Sequence, residues 1–171
     1  MKSLQPPASF HLAAAEGWIG LGDWSEAEAE LDQIEAGLRR HPDVLKVRLF
    51  ARYHAKDWVA CIDLAESLMP VARELSWVWV FYANSLYFSG RTQQAYDSLQ
   101  PVLDRFPNNW EMRYNLGCYA CQLGLKAAAR AWLRRAMKLG QAQQVKQVAL
   151  EDADYAPIRK EIETMEIESN T

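Results

Sequence analysis

The chain has 171 residues, 50% of them hydrophobic and 24% charged, with a net charge of −3. That length suits one compact domain or a short solenoid, and the apolar content suffices for a core without metals or disulfides. So small a net charge excludes a global field that would draw in nucleic acid or an anionic membrane. No stretch approaches the roughly 20 apolar residues that span a bilayer. The N-terminus, Met1-Lys-Ser-Leu-Gln-Pro-Pro7, lacks the apolar run of a signal peptide. Three cysteines, an odd number in helical contexts, argue against a disulfide framework and for a reducing compartment. A cytoplasmic protein with no nucleic-acid or membrane partner is expected.

In chain order, residues 1–7 read as an N-terminal extension. A helical apolar spacing from residue 8 runs through Trp18 to Gly22, and a second helix follows, with Ser25 and Glu28 at the spacing of a capping box. Pro42 suits the first turn of the next helix, whose stripe includes Leu45 and Leu49. Lys56 then stands at a turn, and Cys61 on the helix after it. Trp79, Tyr82, Ala83 and Leu86 lead to Gly90, followed by Ala95, Leu99 and Pro107. Leu116, Gly117 and Ala120 lead to Gly124, followed by Ala129, Leu133 and Ala136. Gln144 to Leu150 predict a short capping helix, Asp152-Ala153-Asp154 a break, and Ala156 to Glu166 a last acidic helix. Glu168 to Thr171 are expected to be disordered.

The turn residues Gly22, Lys56, Gly90 and Gly124 are 34 residues apart, and Ala27, Cys61, Ala95 and Ala129 follow each by five. The glycines fit a left-handed helix end, which only glycine adopts cheaply; a lysine there costs about 1–2 kcal/mol. The small residues fall where antiparallel helices approach most closely, and overpacking there costs about 1–3 kcal/mol. The chain divides into units 8–41, 42–75, 76–109 and 110–143, with 144–171 as capping helix and acidic C-terminal segment. These residues resemble the tetratricopeptide repeat, over about four-fifths of the chain. The second unit is the irregular one, with Lys56 at its turn and Arg48 and Arg52 in slots that are normally apolar.

The resemblance implies an all-α, right-handed α-solenoid of four helix–turn–helix repeats. It also implies a non-catalytic scaffold or adaptor that binds a peptide or helix in a concave groove. The alternative is a self-associating structural protein, with the acidic C-terminal helix able to lie in its own groove. The groove positions it implies are Ser9, Leu12, Glu16 and Ile19; Asp43, Lys46, Phe50 and Tyr53; Trp77, Val80, Asn84 and Tyr87; and Glu111, Tyr114, Cys118 and Cys121. Phe50, Tyr53, Trp77, Val80, Asn84, Tyr87 and Tyr114 are the expected binding residues, since aromatic side chains bury large area with few rotatable bonds. Asn84 is implied to bond a peptide amide. The carboxylate clamp that some members use on chaperone tails is not expected, because Leu12, Glu16, Trp77 and Phe81 replace its lysines, asparagine and arginine.

Other motifs read as structure. Cys118-Tyr-Ala-Cys121 lies inside a helix instead of at a helix N-terminus and has no second pair, so neither redox nor zinc chemistry is expected. His11, His41 and His54 have no nucleophile arrangement, and Gly17 to Gly22 follow no strand. No cofactor, metal or catalytic residue is predicted. Lys126, Arg130, Arg134 and Lys138 recur every four residues as a solvated basic stripe without aromatic interleaving. Acidic runs at Glu26 to Glu35 and Glu151 to Asp154 oppose that stripe, which suggests head-to-tail self-association.

Overall fold

The computed structural model describes residues 3–167; Glu168 to Thr171, where the sequence predicts disorder, lie outside them. The described residues form ten α-helices and three short 3₁₀ segments, with no strand among them. The chain divides into two compact units, residues 1–85 and 86–171.

The first unit holds α1 (Ala8–Leu21), α2 (Trp24–Gln33), α3 (Pro42–His54), α4 (Trp58–Ala72) and most of α5 (Ser76–Phe88). The second begins in the last turn of α5. It continues through α6 (Thr92–Leu99), α7 (Trp110–Gln122), α8 (Lys126–Leu139), α9 (Ala142–Glu151) and α10 (Arg159–Glu163).

The 34-residue period has a direct cause in the backbone. Gly22, Lys56, Gly90 and Gly124 have φ of 79°, 59°, 81° and 75°, the left-handed region. In each turn this residue's N–H bonds back three residues, to Ile19, Tyr53, Tyr87 and Cys121. The next residue's N–H closes the six-residue loop to Trp18, Arg52, Leu86 and Ala120. These paired bonds are the Schellman pattern, which satisfies carbonyls that the helix end leaves open. Lys56 adopts the same conformation without glycine's freedom, so the strain expected at this turn is present.

One expected start signal is corrected. α2 is capped by Asp23, whose carboxylate accepts the Glu26 N–H at 3.0 Å, and not by a Ser25–Glu28 box. Asp57 caps α4 in the same way, accepting the Ala60 N–H at 3.2 Å. An aspartate directly after the left-handed turn has a non-helical backbone, φ −100° and ψ 87° at Asp23 and φ −83° and ψ 75° at Asp57, as a cap needs. Glu28 is thereby left for another role. Its carboxylate meets Arg48 at 3.2 Å and Arg52 at 2.8 Å, and Asp32 takes Arg48 from the other side at 2.8 Å. The two arginines in apolar slots are therefore ion-paired to α2, with Arg52 also on Asp57.

Ala27, Cys61, Ala95 and Ala129 are completely buried, as close helix approach requires. In the first unit Leu31, Val44, Val47 and Ala51 pack between α2 and α3, and Leu49, Ala65, Leu68 and Val78 form a neighbouring core. In the second unit Leu99, Met112, Leu116, Leu133 and Ala136 are buried, continued by Val145 and Ala149 of α9. The C-terminal end departs from one acidic helix over 156–166. A 3₁₀ segment, Ala153–Ile158, precedes the five-residue α10. Asp152 starts it by accepting the Asp154 N–H at 2.9 Å, and Pro157 supplies no N–H for an α-helical ladder.

Candidate functional site

In the first unit α3 and α5 present an aromatic face. Phe50 and Tyr53 of α3 both pack on Phe81 of α5, with ring centroids 4.7 and 4.5 Å apart. Trp77 lies 6.0 Å from Phe50 and 6.2 Å from Phe81, and Trp58 meets Tyr53 edge-on at 5.3 Å. Such ring pairs contribute about 0.5–1.5 kcal/mol each beyond area burial. Phe50, Tyr53, Trp77, Phe81 and Asn84 remain half-buried, so the cluster is self-supporting and keeps a surface toward solvent. Asn84 donates to the Tyr53 hydroxyl at 3.4 Å. Val80, an expected groove position, is buried instead. Phe81, the hub of the cluster, was not among the expected binding residues; the helical spacing of Trp77 and Phe81 on α5 was its only signal.

In the second unit the corresponding face of α7 is covered by the chain's own C-terminal segment. The Tyr114 hydroxyl donates to Asp152 at 2.7 Å, and the Tyr87 hydroxyl to Asp154 at 2.5 Å. Gln122 reaches the Asp154 main-chain carbonyl at 3.2 Å. Tyr155 is completely buried, its ring 5.2 Å from that of Tyr114 and its hydroxyl donating to the Tyr114 carbonyl at 2.8 Å. It fits only because residue 117 is glycine: a Cβ there would lie 2.0 Å from the Tyr155 oxygen. This cover explains why Tyr114, Cys118 and Cys121 are buried where exposure was expected.

The electrostatics follow from that burial. Desolvation pushes the Tyr114 and Tyr87 hydroxyls above the usual phenol range, and their bonds to Asp152 and Asp154 add to it. Asp154 is raised above the usual carboxylate range by burial and by neighbouring Asp152, although its bond from Tyr87 opposes this. Burial also holds the Cys118 thiol well above its ordinary value and pushes Cys61 and Cys121 up to about 11. Cys118, Asp152 and Asp154 place one ligand-type atom each within 4.8 Å of one another. Both carboxylates already accept tyrosine bonds and the Cys118 thiol donates to Asp152 at 3.8 Å, so the three groups are satisfied by packing partners without an ion.

Several members of the charged runs are engaged within the chain. Glu28 and Asp32 hold the arginines of α3, and Glu30 pairs with His11 at 2.8 Å. In the basic stripe Arg130 pairs with Glu161 of α10. Beside the stripe, Arg135 lies over the Trp132 ring at 4.6 Å, and the Trp132 N–H donates to the Tyr96 hydroxyl at 3.1 Å. His54 stacks on Trp24 at 4.7 Å, and His41 accepts the Asp43 N–H at the start of α3.

Paired helices closed by periodic left-handed turns define an all-α solenoid of tetratricopeptide type. Two solved structures share this architecture. A MamA RS-1 ArsTM double mutant superposes with a TM-score of 0.73 at 13% identity, over 82% of this chain and 79% of that one. A second MamA mutant gives 0.66 at 16% identity, over 78% of this chain and 77% of that one. At these identities the likeness concerns the fold alone. No family model and no curated protein matches the sequence. Among the described residues no helix is long and apolar enough to cross a membrane.

Proposed function

We propose that the protein is a non-catalytic interaction scaffold built of four tetratricopeptide units, 8–41, 42–75, 76–109 and 110–143. It takes a partner's peptide or helix on the faces of the first helix of each unit. The observation that carries this reading is the aromatic face that α3 and α5 present within residues 1–85. Phe50, Tyr53, Trp77 and Phe81 are pre-packed on one another and only partly buried, and rigid aromatic anchors of this kind dominate interface energies. The three free, buried cysteines support a reducing compartment such as the cytoplasm. The test is a Phe50→Ala/Trp77→Ala variant whose helical circular dichroism matches the parent. Its affinity for a partner recovered with the tagged parent chain should fall at least tenfold, and unchanged affinity would sink the assignment.

A second reading, self-association, has its own observation. Phe10 and Leu21 on α1 are 68% and 77% exposed, apolar side chains on the first helix of the solenoid. Terminal units of a repeat array need a polar outer face to stay monomeric. Glu28, Glu30 and Asp32 of the acidic run are engaged in internal pairs, so contact through α1 rests on Phe10 and Leu21 and is insensitive to salt. Sedimentation across concentration, with Phe10→Ser/Leu21→Ser as comparison, separates the two readings.

A further inference from the structure

The cover over α7 is more specific than a cap needs to be. Ile158 and Ile162 are buried and would close an apolar face by themselves. The segment before them instead matches α7 and the end of α5 group by group. Tyr114 donates to the first aspartate and Tyr87 to the second, two residues on. Gln122 reads the main chain at the second aspartate, and the slot over Gly117 accepts the tyrosine that follows. Tyr155 finishes the match by donating to a main-chain carbonyl of α7.

Resting on the groove-binding reading above, we propose that this face recognises a short Asp-x-Asp-Tyr segment. The chain fills the site with its own residues 152–155, and an acidic–aromatic segment of another protein takes their place. The geometry supports exchange. Asp152 and Asp154 are only half-buried, and the segment is a single 3₁₀ stretch with non-helical backbone at Asp152 before it. Carboxylates held by hydroxyl donors at the rim of a face are replaceable by equivalent carboxylates, because the donors lose nothing in the exchange.

The test uses the full chain and a fluorescent peptide with the sequence of residues 148–160. The variant Asp152→Ala/Asp154→Ala/Tyr155→Ala should bind this peptide at least tenfold more tightly than the parent, whose site is filled. The peptide with both aspartates changed to asparagine should lose at least tenfold. Tyr114→Phe in the triple variant should lose severalfold while the helical signal is kept. Equal binding by parent and variant, or indifference to the aspartates, overturns the proposal. Parent chain binding the variant while free peptide does not would assign the face to a second copy, and also overturns it.

Should the triple variant not fold, hydrogen exchange on the parent chain decides. Saturating peptide should speed exchange of the amides in 153–158 and leave α3 unchanged; no acceleration overturns the proposal. The groove reading is judged separately on Phe50 and Trp77. If those substitutions weaken partner binding and the peptide test fails, only the α7 proposal falls.

Discussion

The two units make opposite use of the same helix face. In the first, α3 and α5 stack aromatic rings on one another and leave the cluster half open. In the second, α7 and the end of α5 spend their tyrosines on two aspartates of the chain's own C-terminal segment. Ring-on-ring packing needs no partner to be satisfied and tolerates solvent on one side. A buried hydroxyl is costly without an acceptor, so the tyrosines of the second unit require something over them. The rings of the first unit are thus satisfied by one another, and the hydroxyls of the second by the chain's own aspartates.

The largest test of this contrast is Tyr155→Ala, which empties the slot over Gly117. It should cost about 3–5 kcal/mol in urea unfolding, with amide protection lost from α9 and α10 and retained in the first unit. Equal loss of protection in α3 would mean that the second unit does not depend on this contact by itself. Next, Gly117→Ala leaves Tyr155 in place but forces it outward, and should cost about 1–3 kcal/mol by the same measurement. The matching test in the first unit is Glu28→Ala. It takes one of two carboxylate partners from each of Arg48 and Arg52, which keep Asp32 and Asp57, and should lower stability by about 1 kcal/mol, less at high salt. Lys56→Gly removes left-handed strain and should raise the urea midpoint, by about 1 kcal/mol of stability.

The smallest effect is a slope. Asp154 has a folded-state pKa above its unfolded value, so the native state holds the proton more tightly. Its contribution to stability is therefore greatest below the usual aspartate range, where it is protonated in both states. That contribution declines as pH rises from there through the raised value. Asp154→Asn should remove this component from the pH dependence of unfolding. An unchanged slope between parent and variant would show that the Tyr87 bond offsets burial completely.

Much of this was legible in single residues. The left-handed turns announced themselves as glycines, and Lys56 announced its strain by breaking the series. Ala27, Cys61, Ala95 and Ala129 marked the close approaches, because small size has one use inside a helix pair. The roles of Arg48 and Arg52 were not legible, since their partners lie on α2, and sequence spacing gives no information on which carboxylate an arginine reaches. Glu28 has the capping-box spacing from Ser25 yet faces α3 for the same reason: i, i+3 spacing on a helix is shared by caps and by side chains facing a neighbouring helix. Asp152 and Asp154 read as a helix break, and nothing local showed that the break would fold back on Tyr114 and Tyr87.

By itself the sequence determined the period, the helix pairs and the turns, because these rest on backbone conformation and on interactions within a few residues. Only the tertiary structure decided which aromatic positions stay half open and which are covered. That distinction depends on residues 38 and 67 positions away in the chain, Asp152 from Tyr114 and Asp154 from Tyr87. Burial is a property of what packs against a side chain, and long-range packing leaves no periodic trace in the residues that it joins.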